Sequence, residues 1–484
     1  MGWGIVSAWP SLLALSLLVY WFLVAVAVIT DDREPTETLA WLLVLFAFPL
    51  IGLLFYFLFG RNWKKRTAHS PQLAKITAAA KPTLDRLHKR YSAEHDEGLR
   101  WAEAKGYDRL VKLIARADYA HVMPAYDVEI LVNGENKFPA LKADLAAATD
   151  TINIQYFIWE HDKLTAELTE ILLDRLAAGV EIRMLNDWAG NIVYKKDEIK
   201  RLREAGADIR WDVTDPRLIN YRNHRKMVII DATKGYTGGI NVGQEYIDGA
   251  PHYPAWRDTH VRFNGPAVME LQKMFSVRWL DVADENLFTE RFFPADYPET
   301  GRRSLAQIVS TGVDLEWDPA RRAHMEAMGG ARKRIWIQSP YFVPTPDVYS
   351  TMLDAALSGI DVRFMMTGWP DKKIAWYAAE SFFRPLVAAG AKVYRYNKGF
   401  FHAKTMTIDG EMASIGTMNF DIRSLALHKE LMAWFYDADI AAQHEAIFLA
   451  DMEECEEVTL KMIDGWSGGQ RLRNASARLA SNLL

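Results

Sequence analysis

The N-terminal part of the chain carries two long apolar stretches, over residues 11–30 and 39–60, and neither contains a charged side chain. At about 1.5 Å of rise per residue, each would span roughly 30 Å as a helix, the thickness of a bilayer's hydrocarbon core. The pattern predicts a transmembrane hairpin over residues 1–66. A cleaved signal peptide is disfavoured because a basic leading region is missing and a second apolar stretch follows at once. Two buried core helices are disfavoured because soluble domains rarely contain uninterrupted apolar segments of this length.

Charges around the hairpin predict its orientation. The connection at residues 31–38 holds four acidic side chains and one arginine. The second stretch is followed directly by basic residues, which are Arg61, Lys64, Lys65 and Arg66. Basic residues that flank membrane spans favour the cytoplasmic side. All residues after the hairpin are therefore expected to face the cytoplasm.

Beyond the hairpin, apolar residues at helical spacing predict a helical connector over residues 67–125. Short β-rich runs then alternate with amphipathic stretches, and the alternation occurs twice. The matching runs are 150–159 and 333–343, 179–185 and 359–365, and 205–211 and 389–395. Strands that alternate with helices favour βαβ units and a largely parallel sheet. The predicted fold class is α/β, with one lobe at residues 126–300 and a second at residues 301–484.

The doubling includes a chemical pattern. The first copy reads His-x-Lys-x4-Asp-x6-Gly-x2-Asn, and a second copy with the same spacing follows 178 positions later. The first copy consists of His224, Lys226, Asp231, Gly238 and Asn241, and the second of His402, Lys404, Asp409, Gly416 and Asn419. A repeat matched at every position arises by chance far less often than a single copy. A single histidine in such a sequence is most often a hydrogen-bonded residue of the protein core. The matched repeat argues against that interpretation here.

Both copies open β-rich runs, which predicts that they lie on strands. Residues two apart on a strand point the same way, so each histidine should share a face with its lysine. The ammonium group could then hold a phosphate oxygen beside the imidazole, and the glycine permits a turn that brings the asparagine amide to the same anion. Asp231 and Asp409 fall off this face, and we expect them to stabilise the strand by ion pairing. The pattern is suited to a phosphodiester.

One copy supplies one imidazole, whereas displacement of an alcohol at phosphorus needs a nucleophile on one side and a proton donor on the other. Two copies that face each other supply both. We therefore expect the lobes to pack around a pseudo-twofold axis, with one composite site at their seam.

Composition and charge restrict the classes of binding partner and of metal site. The net charge is −5 and the pI is near 6.2, so no overall basic field recruits nucleic acid. Cys455 is the one cysteine, which excludes an intramolecular disulfide and a thiolate zinc site. The hydrophobic content of 50% is enough for two cores besides the hairpin.

The doubled pattern resembles the HKD signature of the phospholipase D superfamily, whose members cleave or exchange phosphodiesters through a phosphohistidine. With the apolar hairpin, nearly the whole chain resembles the bacterial cardiolipin synthases of that superfamily. The segments that carry this resemblance, besides the hairpin and the C-terminus, are 256–262, 265–267, 339–344 and 416–424. Gly239 departs from the pattern, because many members have serine there, and this puts one hydroxyl contact in doubt.

The resemblance implies two phospholipase D-like lobes after a two-helix transmembrane hairpin, in a multi-pass protein of the bacterial inner membrane. It implies the condensation of two phosphatidylglycerol molecules into cardiolipin and glycerol through a phosphatidyl-histidine. The catalytic set carried over is His224, Lys226, Asp231, His402, Lys404 and Asp409. His224 would attack and His402 would act as acid and base.

The same resemblance implies supporting roles. The phosphate-binding set would be Lys226, Lys404, Asn241 and Asn419. Glu430 resembles the superfamily acid that holds the second ring nitrogen of a motif histidine, and Asp258 is the nearest candidate in the first half. Neither a metal nor another cofactor is expected, because the lysines supply the positive charge.

Other functions stay open. A phospholipase D hydrolase would use the same residues with water as the acceptor. A phosphodiesterase acting on nucleic acid is disfavoured by the anchor and the acidic balance. A non-enzymatic lipid-binding scaffold would be expected to have lost a motif histidine or lysine, and two helices cannot enclose a transport pathway. Assembly into a homo-oligomer is left open.

Overall fold

A computed structural model describes residues 3–31, 33, 35–60, 70–192, 197–215, 218, 220–312, 314–479 and 481, with side chains from residue 14 onward apart from residues 58 and 59. The helices are α1 (Trp3–Ile29), α2 (Pro35–Ala47), α3 (Pro49–Phe55), α4 (Pro71–Arg90), α5 (Ser92–Lys105), α6 (Asp108–Ala117), α7 (Asn133–Ala146), α8 (Lys163–Ala177), α9 (Asp197–Glu204), α10 (Glu245–Asp248), α11 (Val268–Ala283), α12 (Pro319–Gly330), α13 (Pro346–Leu357), α14 (Lys373–Ala388), α15 (Ala438–Met452), α16 (Leu460–Asp464) and α17 (Gly468–Leu479), with π-helical turns at Tyr56–Gly60 and Arg423–Leu427.

The strands follow the same numbering along the chain. They are β1 (Met123–Val132), β2 (Thr151–Tyr156), β3 (Glu181–Asp187), β4 (Asp208–Asp212), β5 (Met227–Ile230), β6 (Lys234–Gly238), β7 (Trp256–Arg257), β8 (Thr259–Asn264), β9 (Arg303–Thr311), β10 (Arg334–Gln338), β11 (Phe342–Val343), β12 (Asp361–Thr367), β13 (Lys392–Tyr396), β14 (Phe400–Phe401), β15 (Thr405–Ile408), β16 (Met412–Gly416), β17 (Phe420–Asp421), β18 (Glu430–Phe435) and β19 (Cys455–Glu457).

The N-terminal segment folds back on itself. Helix α1 packs against α2, and Val24, Val28 and Leu45 are buried between them. The second apolar stretch is interrupted at Phe48, because Pro49 lacks the N–H group that a continuous helix would use. Counting only the described residues, no helix combines the length and the hydropathy needed to cross a bilayer. The transmembrane hairpin therefore stays a prediction, and the basic cluster at 61–66, on which its orientation depends, lies outside the described residues.

The predicted helical connector consists of α4, α5 and α6. Ser70 caps α4 by accepting a hydrogen bond from the backbone N–H of Leu73 at 3.1 Å. Helix α4 packs on α11 of the first half, and α6 packs on α12 of the second half. The connector therefore contacts both halves of the molecule.

The main sheet has fifteen strands in the order β19-β13-β12-β10-β15-β16-β18-β9-β1-β8-β6-β5-β2-β3-β4. Parallel pairing joins β2, β3 and β4 in one half and β10, β12 and β13 in the other. The strands between these two sets pair antiparallel. The prediction of a largely parallel sheet was therefore wrong. Short turns join β5 to β6 and β15 to β16, and only antiparallel strands can be joined in this way.

The strand order reads alike from the two sides of the centre. Strands β1 and β9 pair in the middle, and β8, β6, β5 and β2 then lie on one side as β18, β16, β15 and β10 lie on the other. Each half has its own buried apolar core, and a further cluster around Phe263, Trp279 and Phe435 lies between them. One sheet thus holds the two motif copies in equivalent positions.

Candidate active site

The two motif histidines lie just before strands rather than on them. Strand β5 begins at Met227 and β15 at Thr405, each one residue after the motif lysine. The prediction that each histidine and its lysine lie on a strand was therefore wrong by a few residues. Both histidines are buried, with 8% of each residue exposed.

Contacts between the halves position the two histidines. The backbone N–H of His224 donates to the carbonyl of Lys429 at 2.9 Å, and that of His402 donates to the carbonyl of Arg257 at 2.7 Å. Strand β14, which precedes His402, pairs parallel with β7 of the first half. Each motif segment is thus fastened to the other half of the molecule, which forms one site at the seam.

A carboxyl group from the opposite half holds each imidazole. Nδ1 of His224 lies 2.9 Å from Oε1 of Glu430, and Nδ1 of His402 lies 2.8 Å from Oδ2 of Asp258. Both acids are fully buried. The sequence named the two acids, but the exchange between halves could not be read from their positions along the chain. Since Nδ1 is engaged in each ring, Nε2 is the nitrogen left to react.

Gly239 and Thr417 stand at equivalent positions and lie beside acids of different length, Asp258 and Glu430. The Thr417 hydroxyl donates to Oε2 of Glu430 at 2.6 Å. A Cβ atom at Gly239 would meet Oδ1 of Asp258 at 2.0 Å. The Asp258 carboxyl group therefore fills the space that a side chain at position 239 would need, so only glycine fits. The missing serine hydroxyl is thus matched by a change in the acid.

The motif lysines line the same site. The Lys226 ammonium donates to the carbonyl of His224 at 2.9 Å, and Lys404 donates to the carbonyl of His402. Burial lowers the pKa of Lys226 to about 7 and that of Lys404 to about 8. The two ammonium groups also repel each other, so a bound anion would stabilise both.

The two asparagines are both buried beside their motifs. Nδ2 of Asn241 donates to the Tyr246 hydroxyl at 2.8 Å. In the part of the chain that the structure describes, Oδ1 of Asn419 has no hydrogen-bond partner. Gly238 adopts a φ of 145°, where a side chain would be strained and would strike the backbone of His260. The glycine therefore permits the turn ahead of Asn241.

Asp231 and Asp409 directly follow β5 and β15, at the strand ends opposite to the imidazoles. Asp231 accepts hydrogen bonds from the backbone N–H groups of residues 149, 150 and 151 at 2.8–2.9 Å. Asp409 accepts from residues 332, 333 and 334 at 2.7–2.9 Å, and from the Tyr107 hydroxyl at 2.6 Å. These carboxylates fix the start of β2 and β10, through backbone contacts rather than the ion pairs expected.

The surroundings make the two imidazoles chemically different. Burial and the charge of Lys226 hold the pKa of His224 well below its ordinary value. Burial and the charge of Lys404 lower the pKa of His402 to about 4, although the charge of Asp258 opposes this. Burial raises the pKa of Glu430 to about 8, so Glu430 lends His224 little negative charge at neutral pH. His402 therefore takes up a proton more readily than His224 does.

Sequence reasoning missed the groups around the imidazoles. Phe157 packs against His224 with a ring separation of 4.9 Å, and His428 lies 6.0 Å from the same ring. Trp256 and Phe400 lie 5.9 and 5.7 Å from the ring of His402. His428 stands two residues before Glu430, and Trp256 two residues before Asp258. This offset was the signal in the sequence that could have identified both.

Comparison with known proteins places the chain in a family. The family model described as "Cardiolipin synthase, PLD-like domain" matches residues 141–251 and 325–452, one stretch in each half. The cardiolipin synthase of Geobacillus sp. (strain WCH70) is 35% identical over 479 residues, which cover 97% of this chain and 94% of that protein. The chain belongs to the cardiolipin synthase family of the phospholipase D superfamily. The resemblance found in the motifs is confirmed.

Further matches extend over the same length. The major cardiolipin synthase ClsA of Bacillus subtilis is 33% identical over 485 residues, with 98% of this chain and 99% of that protein covered. A model described as "Phospholipase_D-nuclease N-terminal" matches residues 19–61, in the apolar hairpin. The crystal structure of a phosphatidylserine synthase from Haemophilus influenzae superposes with a TM-score of 0.59 at 13% identity, covering 78% of this chain and all of that one. This last likeness supports the mixed α/β fold alone.

Proposed function

We propose that this member of the cardiolipin synthase family transfers a phosphatidyl group between two phosphatidylglycerol molecules, giving cardiolipin and glycerol. The observation that carries the proposal is the pair of buried imidazoles, His224 and His402, each held at Nδ1 by a carboxyl group of the other half. The arrangement supplies a nucleophile and a proton donor at one seam.

The first step forms the covalent intermediate. Nε2 of His224 attacks phosphorus of the donor lipid, and the bond from phosphorus to the glycerol oxygen breaks. The protonated His402 gives its proton to that oxygen, so glycerol leaves as a neutral alcohol and a phosphatidyl-histidine is left. The lower tendency of His224 to take up a proton, and the charge of Asp258 beside His402, support this division of roles.

The second step reverses these roles. Neutral His402 removes the proton from the primary hydroxyl of a second phosphatidylglycerol, whose oxygen attacks phosphorus. The bond from phosphorus to Nε2 of His224 breaks, and cardiolipin is formed. Lys226, Lys404, Asn241 and Asn419 hold the non-bridging oxygens and stabilise the charge that develops on them. One phosphodiester replaces another, so no nucleotide has to drive the exchange.

We also propose that residues 1–66 anchor the enzyme in the bacterial inner membrane, with the lobes 126–300 and 301–484 and the connector 67–125 in the cytoplasm. Large apolar side chains on the N-terminal helices are exposed, such as Leu18 at 67%, Phe22 at 68% and Leu50 at 82%. Exposed apolar surface of this extent marks a membrane or partner contact. The anchor would keep the site beside its lipid substrates.

Product analysis of the purified protein tests the proposed function. Phosphatidylglycerol in detergent, with a chelator and without CTP, should give cardiolipin and free glycerol in equal amounts. His224→Asn serves as the inactive control. Formation of phosphatidic acid in place of cardiolipin would identify a hydrolase, and strict dependence on CDP-diacylglycerol or on a divalent ion would contradict the proposed mechanism.

A further inference from the structure

The pseudo-twofold symmetry is broken at two pairs of positions beside the imidazoles. Arg222 stands two residues before His224, where the second half has Phe400 two residues before His402. His428 stands two residues before Glu430, where the first half has Trp256 two residues before Asp258. The two sides of one symmetric site therefore differ in chemistry at equivalent places.

The ring distances show that His428 and Trp256 occupy equivalent places beside the two imidazoles. The His428 ring lies 6.0 Å from that of His224, and the Trp256 ring lies 5.9 Å from that of His402. Trp256 and Phe400 contact each other at 4.7 Å and make the second side aromatic. The first side has an imidazole and a guanidinium in their place.

Further positive charge gathers on the first side. The Arg222 guanidinium lies 5.9 Å from the centre of the Phe157 ring, and the Lys226 ammonium lies 5.7 Å from it. Both cations therefore lie beside the ring that packs on His224. Arg423 donates to Asn220 at 2.7 Å, and its charge acts on both Arg222 and His428.

Acidic groups are present but engaged. Asp187 forms an ion pair with the Arg222 guanidinium, through Nε at 3.1 Å and also through Nη2, and accepts from the backbone N–H of Asn223 at 3.1 Å. Oε1 of Glu430 is 3.9 Å from Nδ1 of His428, while Glu430 holds His224. Across the described ranges, Nε2 of His428 has no hydrogen-bond partner although it is buried.

Burial and the mutual repulsion of these groups lower their pKa values. Burial and the charge of Arg423 lower the pKa of Arg222 to about 10. Burial holds the pKa of His428 well below its ordinary value, and the charges of Arg423, Lys372 and Arg222 add to the effect. Cations that destabilise one another in a buried position are stabilised when an anion binds among them.

The proposed reaction brings a second anion to this place. The donor phosphate occupies Nε2 of His224 and the motif lysines, but the acceptor lipid carries a phosphodiester of its own. In the product a three-carbon glycerol bridge joins the two phosphates, so the second phosphate must lie within a few bond lengths of the first. His428 is the group next to His224 at about that reach.

We propose that Arg222, Arg423 and His428 form a binding site for the phosphodiester of the acceptor lipid, an inference that rests on the proposed function. The site explains why the chain departs from its own symmetry on one side alone. It would select phosphatidylglycerol over water and free glycerol as acceptor, because those acceptors carry no phosphate.

Two reactions of the same intermediate test the site. Exchange of radiolabelled glycerol into phosphatidylglycerol needs the covalent intermediate but no phosphate on the acceptor. Cardiolipin formation needs the covalent intermediate and an acceptor that carries a phosphate. Both initial rates are measured in the same detergent micelles for the wild type, Arg423→Gln and His428→Gln. Arg384→Gln is the matched control, since Arg384 is 63% exposed on its side chain and pairs with Asp464 at the surface.

The ratio of cardiolipin formation to glycerol exchange should fall about tenfold or more in Arg423→Gln and in His428→Gln, the usual effect of losing a charge-assisted hydrogen bond. Arg423→Lys should recover part of the ratio, and Arg384→Gln should keep the wild-type ratio. If Arg423→Gln does not fold, as shown by loss of both reactions, His428→Gln decides the matter.

A ratio within twofold of the wild type in His428→Gln and in a folded Arg423→Gln would overturn the acceptor site while leaving the proposed function standing. A wild-type protein that exchanges glycerol but forms no cardiolipin would overturn both. The two failures are thus distinguishable.

Discussion

At the scale of single residues, the reactive groups could be predicted from the sequence because their spacing is the same in both copies of the motif. His224, Lys226 and Asn241 and their counterparts repeat at one offset, and the structure brings both sets to one seam. The sequence did not predict which half supplies the carboxyl group to each histidine. Glu430 of the second half holds His224 of the first, and Asp258 of the first half holds His402 of the second. That exchange depends on tertiary packing, which leaves no local pattern in either segment.

The buried lysines predict a pH dependence. With a pKa of about 7 for Lys226 and about 8 for Lys404, the ammonium forms dominate at lower pH and are lost as pH rises through these values. Because the ammonium groups attract the substrate phosphate, kcat/KM should fall with rising pH above about 7 to 8. This parameter reports the free enzyme, before a bound anion raises either pKa.

Lys226→Arg provides the control for this assignment, because a guanidinium keeps its charge. Its alkaline fall should move to higher pH, leaving the contribution of Lys404. An unchanged alkaline profile in Lys226→Arg would contradict the assignment of that limb to Lys226.

At the scale of elements, the repeated β-rich runs correctly predicted β2, β3 and β4 and their counterparts β10, β12 and β13. The direction of pairing was not predictable from alternation of apolar residues, because parallel and antiparallel strands share the same side-chain period. The turns after Asp231 and Asp409 could have predicted the antiparallel pairing of the strands that they join. Both residues adopt a positive φ, of 50° and 56°, at the start of a tight reversal.

These turns carry a second prediction. Asp231→Ala removes the acceptor of three backbone N–H groups and should lower the free energy of unfolding by about 1–3 kcal/mol, with kcat of the folded protein within roughly threefold of the wild type. Thermal unfolding and initial rates measure the two effects.

Asp284→Ala is the matched control, because Asp284 also adopts a positive φ, of 54°, but its side chain is 82% exposed; this variant should lower the free energy of unfolding less than Asp231→Ala does and leave kcat unchanged. A loss of kcat above a hundredfold in Asp231→Ala without a change in stability would show that Asp231 acts in the chemistry.

At the scale of the whole molecule, the doubled sequence predicted two halves that share one site, and the central pairing of β1 with β9 joins them in a single sheet. The apolar hairpin was legible from hydropathy alone. Its position relative to the bilayer does not follow from the structure, because contacts within the protein do not include the lipid.

The proposed topology predicts a labelling pattern in cells. In a Cys455→Ser background, Thr36→Cys, at the exposed start of α2 between the apolar stretches, should react with a membrane-impermeant maleimide in intact spheroplasts. Ser476→Cys, at an exposed position of α17, should react only after lysis. The opposite pattern would place the lobes outside the cytoplasm, against the distribution of basic residues.

The covalent intermediate tests the composite site most directly. His402→Asn, given a phosphatidyl substrate whose leaving group needs no proton, should accumulate a phosphatidyl adduct on the peptide that contains His224. His224→Asn should form none. After brief incubation and an alkaline quench that preserves the phosphoramidate, peptide mass spectrometry locates the adduct. An adduct on His402 in the His224 variant would reverse the roles, and the absence of an adduct from every variant would contradict the covalent mechanism.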